Sequence, residues 1–189
     1  MANPIRLLVV DDEEQFVHYM SKRLKRHDFE VHAFTNPVKA LEQSKGSRYD
    51  VAILDLKMPE MDGEELLEKL KQRDARMEII ILTGHGSIES AFRSAQSGAY
   101  EYLLKPCDFN GLVSSINNAY AKRIRALGGK QAKQVDALMK QADTMAPLDL
   151  LKRLKSIHDG LEKHMTAAAL AEGGDLSGAR EVMGEKDES

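Results

Sequence analysis

The chain predicts an α/β domain, a parallel sheet with helices on both faces, followed by an all-helical tail. Three observations carry this. Short apolar runs at Ile5–Val10, Phe29–Phe34, Val51–Leu54, Ile79–Leu82 and Tyr100–Leu104 have buried-strand character. Amphipathic stretches of helical period alternate with them. Beyond Gly128-Gly129 no strand-like run recurs, and Ala, Lys, Met and Leu dominate.

In order, Glu13–His27 places Phe16, Val17, Met20 and Leu24 on one helical face. Asn36-Pro37 offers a capping side chain and a proline suited to a first helical turn. Gly63–Arg73 repeats the pattern through Leu66, Leu67 and Leu70. Ser87–Ser97 and Asp108–Arg125 supply two more helices, opened by Ser87 and Asp108 as N-caps. Right-handed crossovers leave such a βα series little topological freedom.

In the tail, Lys130–Met145 reads as one helix and Pro147 resets the chain. Leu148–Glu172 reads as another, with Leu151, Leu154, His158, Leu161, Met165 and Ala168 spaced alternately by three and four. Gly173-Gly174 breaks it, and Asp175–Met183 is a short returning helix. The expected division is 1–126 and 127–189, with a linker near 128–130 and a helical hairpin over about 148–184.

Composition narrows the function. A net charge of −3 over 189 residues supplies no global attraction to nucleic acid or anionic lipid. No apolar run reaches membrane-spanning length, and the first residues, MANPIRLLVVDD, lack a signal-peptide pattern. Cys107 stands alone, which excludes a disulfide framework and a cysteine metal cluster. The expectation is a cytoplasmic protein with neither a membrane nor a nucleic-acid partner. No GxxxxGK[ST] phosphate loop is present, and the small basic patch at Lys152, Arg153 and Lys155 is too slight for a DNA-reading module.

Chemistry concentrates at the strand ends. Asp11 and Asp12 follow the first run, Asp55 the third and Thr83 the fourth, and Lys105 follows the last. In a parallel sheet these positions converge on one edge, where ligands bind. Carboxylates with waters and a phosphate suit Mg²⁺. The Asp55 carboxylate can attack phosphorus to form an aspartyl-phosphate. Lys105 adds a point charge for the phosphoryl oxygens, and Thr83 can hydrogen-bond one of them.

Residues 1 to about 125 resemble the receiver domain of two-component response regulators. VVDDE at Val9–Glu13, LDLKMPEMDG at Leu54–Gly63, LTGHG at Leu82–Gly86 and YEYLLKP at Tyr100–Pro106 carry the resemblance. It implies a flavodoxin-like (βα)5 sheet of order 2-1-3-4-5 and Mg²⁺-dependent phosphorylation of Asp55 by a histidine kinase or phosphotransfer protein. It further implies metal ligation by Asp11, Asp12, Asp55 and the Lys57 backbone carbonyl, and a cis Lys105-Pro106 peptide. Thr83 and Tyr102 would form the switch that reports phosphate to the 87–125 surface. The LTGHG run most resembles receivers that precede ATP-dependent transcriptional activators.

Two functions follow. The first is a phosphoacceptor signalling protein, not an enzyme acting on other substrates, that controls a downstream protein partner or its own dimerisation. Its tail would pair with another copy or a partner helix, or pack back on its own receiver. The second is a phosphorelay protein. LKRLKSIHDGLEKH at Leu151–His164 resembles the phosphoacceptor box of one histidine-kinase subclass, so phosphate would pass between Asp55 and His158 or a partner histidine. A surface or seam histidine is the plain alternative for His158. A metal hydrolase acting on small substrates is a third class, for which the sequence offers no separate substrate pocket.

Overall fold

The computed structural model describes residues 4–46, 48–84, 88–157 and 159. Five strands alternate with five helices: β1 Arg6–Val10, α1 Glu14–Lys25, β2 Glu30–Phe34, α2 Pro37–Gln43, β3 Val51–Leu54, α3 Gly63–Arg73, β4 Glu78–Thr83, α4 Ile88–Gln96, β5 Glu101–Leu104 and α5 Phe109–Leu127. The sheet has the order β2-β1-β3-β4-β5, and every pairing is parallel. The expected flavodoxin-like topology is therefore present.

Strand side chains alternate between two buried layers, as a period of two requires when both faces are covered. Leu7, Val9, Ile53, Ile80 and Leu82 meet α1 and α5 through Met20, Leu24, Leu112 and Ile116. Leu8, Val10, Leu54, Ile79 and Ile81 meet α2 and α3 through Leu41, Leu66, Leu67 and Leu70. Each buried aliphatic side chain contributes about 1.5–3 kcal/mol of transfer free energy. The expected caps also form, since Asn36 accepts from the Lys39 N–H at 3.0 Å and Asp108 from the Gly111 N–H at 2.9 Å. Ser87, expected to cap α4, lies outside the described residues.

At the amino ends of the strands a buried ion network ties the layers together. Asp50 accepts from the Arg6 N–H at 2.8 Å and lies 3.2 Å from Arg123 Nε. Arg123 also reaches Asp74 at 3.1 Å, and Glu78 pairs with Lys122 at 2.9 Å. Buried charges persist only when paired in this way.

The C-terminal region departs from its expected outline. Gly128, at φ +76°, ends α5, and α6 (Gly129–Met139) starts at the next residue, so a single left-handed joint stands where a linker was expected. The helix expected over Lys130–Met145 stops at Met139, and a 3-10 turn, Ala142–Thr144, follows. Two local features keep the stretch after it from resuming a regular helix before Pro147. The Thr144 hydroxyl bonds back to the Gln141 carbonyl at 2.9 Å, and Ala146 precedes a proline, which disfavours helical backbone. Residues 147–157 are helical, with Pro147 in the first turn.

These helices do not project from the domain. Val135, Leu138, Leu150, Leu151 and Leu154 belong to the same apolar cluster as Ile5, Leu24, Phe29 and Tyr120. Leu151 and Leu154, expected in a seam open to another copy, are 2% and 0% exposed against their own chain. The rest of that seam, from His158 on, lies outside the described residues. The reason is visible in α5, where eleven of nineteen residues are buried, Asn117, Ala121 and Ile124 among them. So broad a buried surface needs cover on a second side. The extension supplies it, fixed by the Asn117 Nδ2–Pro147 O bond at 2.7 Å, the Arg125–Asp136 pair at 2.6 Å and the bond from Lys155 Nζ to the Asp28 carbonyl at 2.7 Å.

Candidate functional site

Backbone hydrogen bonds deliver each side chain to the carboxyl edge. The Asp11 N–H donates to the Phe34 carbonyl at 3.2 Å, and the Asp55 N–H to the Val10 carbonyl at 2.8 Å. Thr83 ends β4 opposite Leu104, and its carbonyl accepts from the Lys105 N–H at 2.8 Å. Asp11, Asp55, Thr83 and Lys105 thereby converge, as the strand-end pattern predicts. Lys105-Pro106 is cis.

Lys105 is the centre of the cluster. Its ammonium contacts Asp11 Oδ2 and lies 3.3 Å from Asp55 Oδ1. The Phe16 ring lies against it on another side, its centroid 4.0 Å from Nζ. Asp55 Oδ2 accepts from the Lys57 N–H at 2.6 Å, and Asp11 Oδ1 from the Glu13 N–H at 3.1 Å. These bonds fix both carboxylates in orientation before any ligand arrives.

The electrostatics are uneven. Asp11 is 2% exposed, and burial pushes its carboxyl above the ordinary 3.8 although Lys105 and the Glu13 N–H pull it down. Burial works to lower the Lys105 ammonium, but Asp11 and Asp55 outweigh it and hold the group above 10.5. Both partners move upward because Asp11 has lost most of its water while Lys105 faces two carboxylates. One ammonium therefore serves a site with more acidic oxygen than it can neutralise.

That imbalance, and a donor set made of hard oxygens, fits a divalent cation of the Mg²⁺ type. Asp12 is exposed at the rim of this edge. Among the described residues no three His, Cys, Asp or Glu side chains form a metal-holding group by themselves. Mg²⁺ is commonly held by one or two carboxylates, with waters and phosphate completing the shell.

Thr83 is fully buried, and Tyr102 is half-buried against the α2–α3 layer. His158 lies outside the described residues. Two further residues belong to this site that the pattern of strand ends does not single out. Phe16 read only as a core-facing position of α1. Gly63 starts α3 where an added Cβ would overlap the Asp55 carbonyl oxygen, and its N–H donates to the Leu56 carbonyl at 2.9 Å. The sequence signals for Gly63 are its place at the end of the LDLKMPEMDG stretch and its position directly after the capping Asp62, where a helix former would ordinarily serve.

Comparison with known proteins agrees with this geometry. The family model for the response regulator receiver domain matches residues 7–117. Regulatory protein AtoC of Escherichia coli K12 is 33% identical over 114 residues, 60% of this chain and 25% of the relative. The DNA-binding transcriptional regulator NtrC of the same strain is 33% identical over 111 residues, 59% of this chain and 24% of the relative. This chain thus matches about a quarter of the length of these relatives. A receiver-domain crystal structure from Methanospirillum hungatei JF-1 superposes with TM-score 0.62 at 28% identity, covering 64% of this chain and 97% of that one. One from Clostridium thermocellum gives 0.60 at 33%, covering 62% and 95%. With its order of strands, its acidic edge and the matched stretch all in agreement, the chain belongs to the response regulator receiver family.

Proposed function

We propose that this protein is a phosphoacceptor switch in which Asp55 takes a phosphoryl group from a phosphohistidine of a histidine kinase or phosphotransfer protein. The observation that supports it best is the Lys105 ammonium held between Asp11 and Asp55 at the carboxyl edge. In this reading Asp55 is the nucleophile. Its oxygen forms a bond to phosphorus as the bond to the donor's imidazole nitrogen breaks, and the imidazole leaves with the bonding pair. The Lys57 N–H holds the Asp55 carboxylate in one orientation, and Lys105 stands where it can follow the charge on the transferred oxygens. Asp11, Asp12, Asp55 and the Lys57 carbonyl would hold Mg²⁺, which when bound offsets repulsion between anionic nucleophile and anionic donor.

Thr83 and Tyr102 form the switch of this reading, passing phosphorylation to the surface of α4, β5 and α5. Leu104, 57% exposed on β5, marks the open part of that surface. The output is association with a protein partner or a second copy. One relative is named a regulatory protein and the other a DNA-binding transcriptional regulator, and this chain matches about a quarter of each. Among the described residues, no helix is long and apolar enough to cross a membrane.

The test is labelling with acetyl phosphate and Mg²⁺. Incorporation is expected as a base-labile acyl phosphate and should vanish in Asp55→Asn. Labelling that persists in that variant would overturn the assignment. Acid-labile, base-stable label lost in His158→Ala would instead establish the relay reading.

A further inference from the structure

An open groove of about 810 Å³ runs between the outer face of α1 and β2. Val17 and Ala33 give it an apolar floor, His18, Lys22, Lys25 and Arg26 stand along its wall, and Glu14 puts one carboxylate at the end away from the cations. The three cations are exposed, and among the described residues none of them is ion-paired. β2 is the edge of the sheet, paired only with β1. An edge strand is ordinarily blunted or covered, because its free backbone groups invite another chain.

The described chain ends beside this groove. Lys155 Nζ donates to the His27 carbonyl at 3.1 Å and to the Asp28 carbonyl at 2.7 Å, at the two residues that follow Arg26. Residues 160–189 carry seven Asp and Glu against three Lys and Arg, interleaved with Leu170, Leu176, Val182 and Met183. The segment thus leaves from the basic end of an apolar-floored groove and has the opposite charge.

We propose that residues 160–189 dock in cis in the α1–β2 groove, with their carboxylates against Lys22, Lys25 and Arg26 and apolar side chains over Val17 and Ala33. Reach is no obstacle. The twelve residues of α1 extend about 18 Å, and thirty residues of chain can span several times that. Tethering favours this occupant over a free partner, since a short tether gives an effective concentration on the order of millimolar. The attraction acts across a distance shorter than the screening length at physiological salt.

Zero-length carbodiimide coupling of the whole chain at low concentration tests this directly. It joins an ammonium to a carboxylate only when the two are in contact. Peptide mass spectrometry of the monomer band should find Lys22 or Lys25 joined to Glu172, Asp175 or Glu181, with a yield reduced about fivefold in high salt. Amide exchange over 160–189 should quicken about tenfold in the triple variant Lys22→Glu, Lys25→Glu, Arg26→Glu. Those positions are exposed, so far-UV circular dichroism should be unchanged. Cross-links found only in a dimer band would make a second copy the occupant and overturn docking in cis. So would their absence, or tail exchange indifferent to the triple variant.

Discussion

The Phe16 ring stacks on the Lys105 ammonium with 4.0 Å between Nζ and the ring centroid. Two carboxylates hold the same ammonium from the other side. A cation over an aromatic face gains about 0.5–1 kcal/mol at a partly exposed position. Phe16→Ala should therefore slow acetyl-phosphate labelling of Asp55 by about two- to fivefold with no change in the labelled residue. Time courses of acyl-phosphate formation measure this. An unchanged rate would mean the carboxylates alone place the ammonium.

Gly63 lies against the backbone of the proposed nucleophile. A methyl group there meets the Asp55 carbonyl oxygen and crowds the Leu56 backbone. Gly63→Ala should cost about 1–3 kcal/mol through overpacking, despite the better helix propensity of alanine. Labelling should slow about tenfold, because the shifted backbone carries Asp55 with it. Urea denaturation and labelling rates together check both effects.

Leu154 is fully buried in the core that α1, α5 and the sheet share. Leu154→Ala should destabilise the protein by about 2–5 kcal/mol. The loss should appear in the one unfolding transition of the sheet and not as early melting of the tail. Far-UV circular dichroism against denaturant distinguishes the two. A separate early transition would show that the extension is a detachable unit.

Asp74 gives a pH dependence with a definite sign. Burial alone would raise its carboxyl, but the Arg123 guanidinium and the Arg76 N–H outweigh that and hold it below 3.8. The folded value is below the unfolded one, so the group stabilises the fold above 3.8. Its contribution disappears as pH falls through the folded value. Asp74→Asn should be about 1 kcal/mol less stable near pH 6, allowing for the partial exposure of Asp74. That gap should close in strong acid. Urea midpoints of both proteins from pH 6 down to pH 2 check it.

Much of this was legible in the sequence, and the residues say why. The strand-end polar residues, the Asn36 and Asp108 caps and Leu66, Leu67 and Leu70 depend on local periodicity and chemistry, which a linear reading captures. Convergence of Asp11, Asp55 and Lys105 needed only the rule that parallel strands share an edge. Phe16 was placed on the correct helix face, but its partner is 89 positions away and no spacing reports it. Gly63 is required by a close approach between two backbones, which has no periodic signature. The spacing of Leu151 and Leu154 correctly predicts an apolar stripe, yet a stripe does not name its partner. The clue lay in α5, where Ala121 and Ile124 widen the apolar face beyond what one sheet can cover.

The bonds from Lys155 to the His27 and Asp28 carbonyls connect positions 128 and 127 residues apart. Contacts so distant in sequence form late, because the intervening loop must close first. During synthesis the first helix therefore leaves the ribosome long before the residue that finishes its carboxyl end. The nascent chain can assemble its sheet while the α1–α5 side still shows bare apolar surface, and only emergence of α6 and the helical residues 147–157 covers it. A ribosome stalled shortly after residue 127 would hold a sticky, protease-sensitive intermediate, and one stalled well beyond residue 157 would hold a chain with that surface covered.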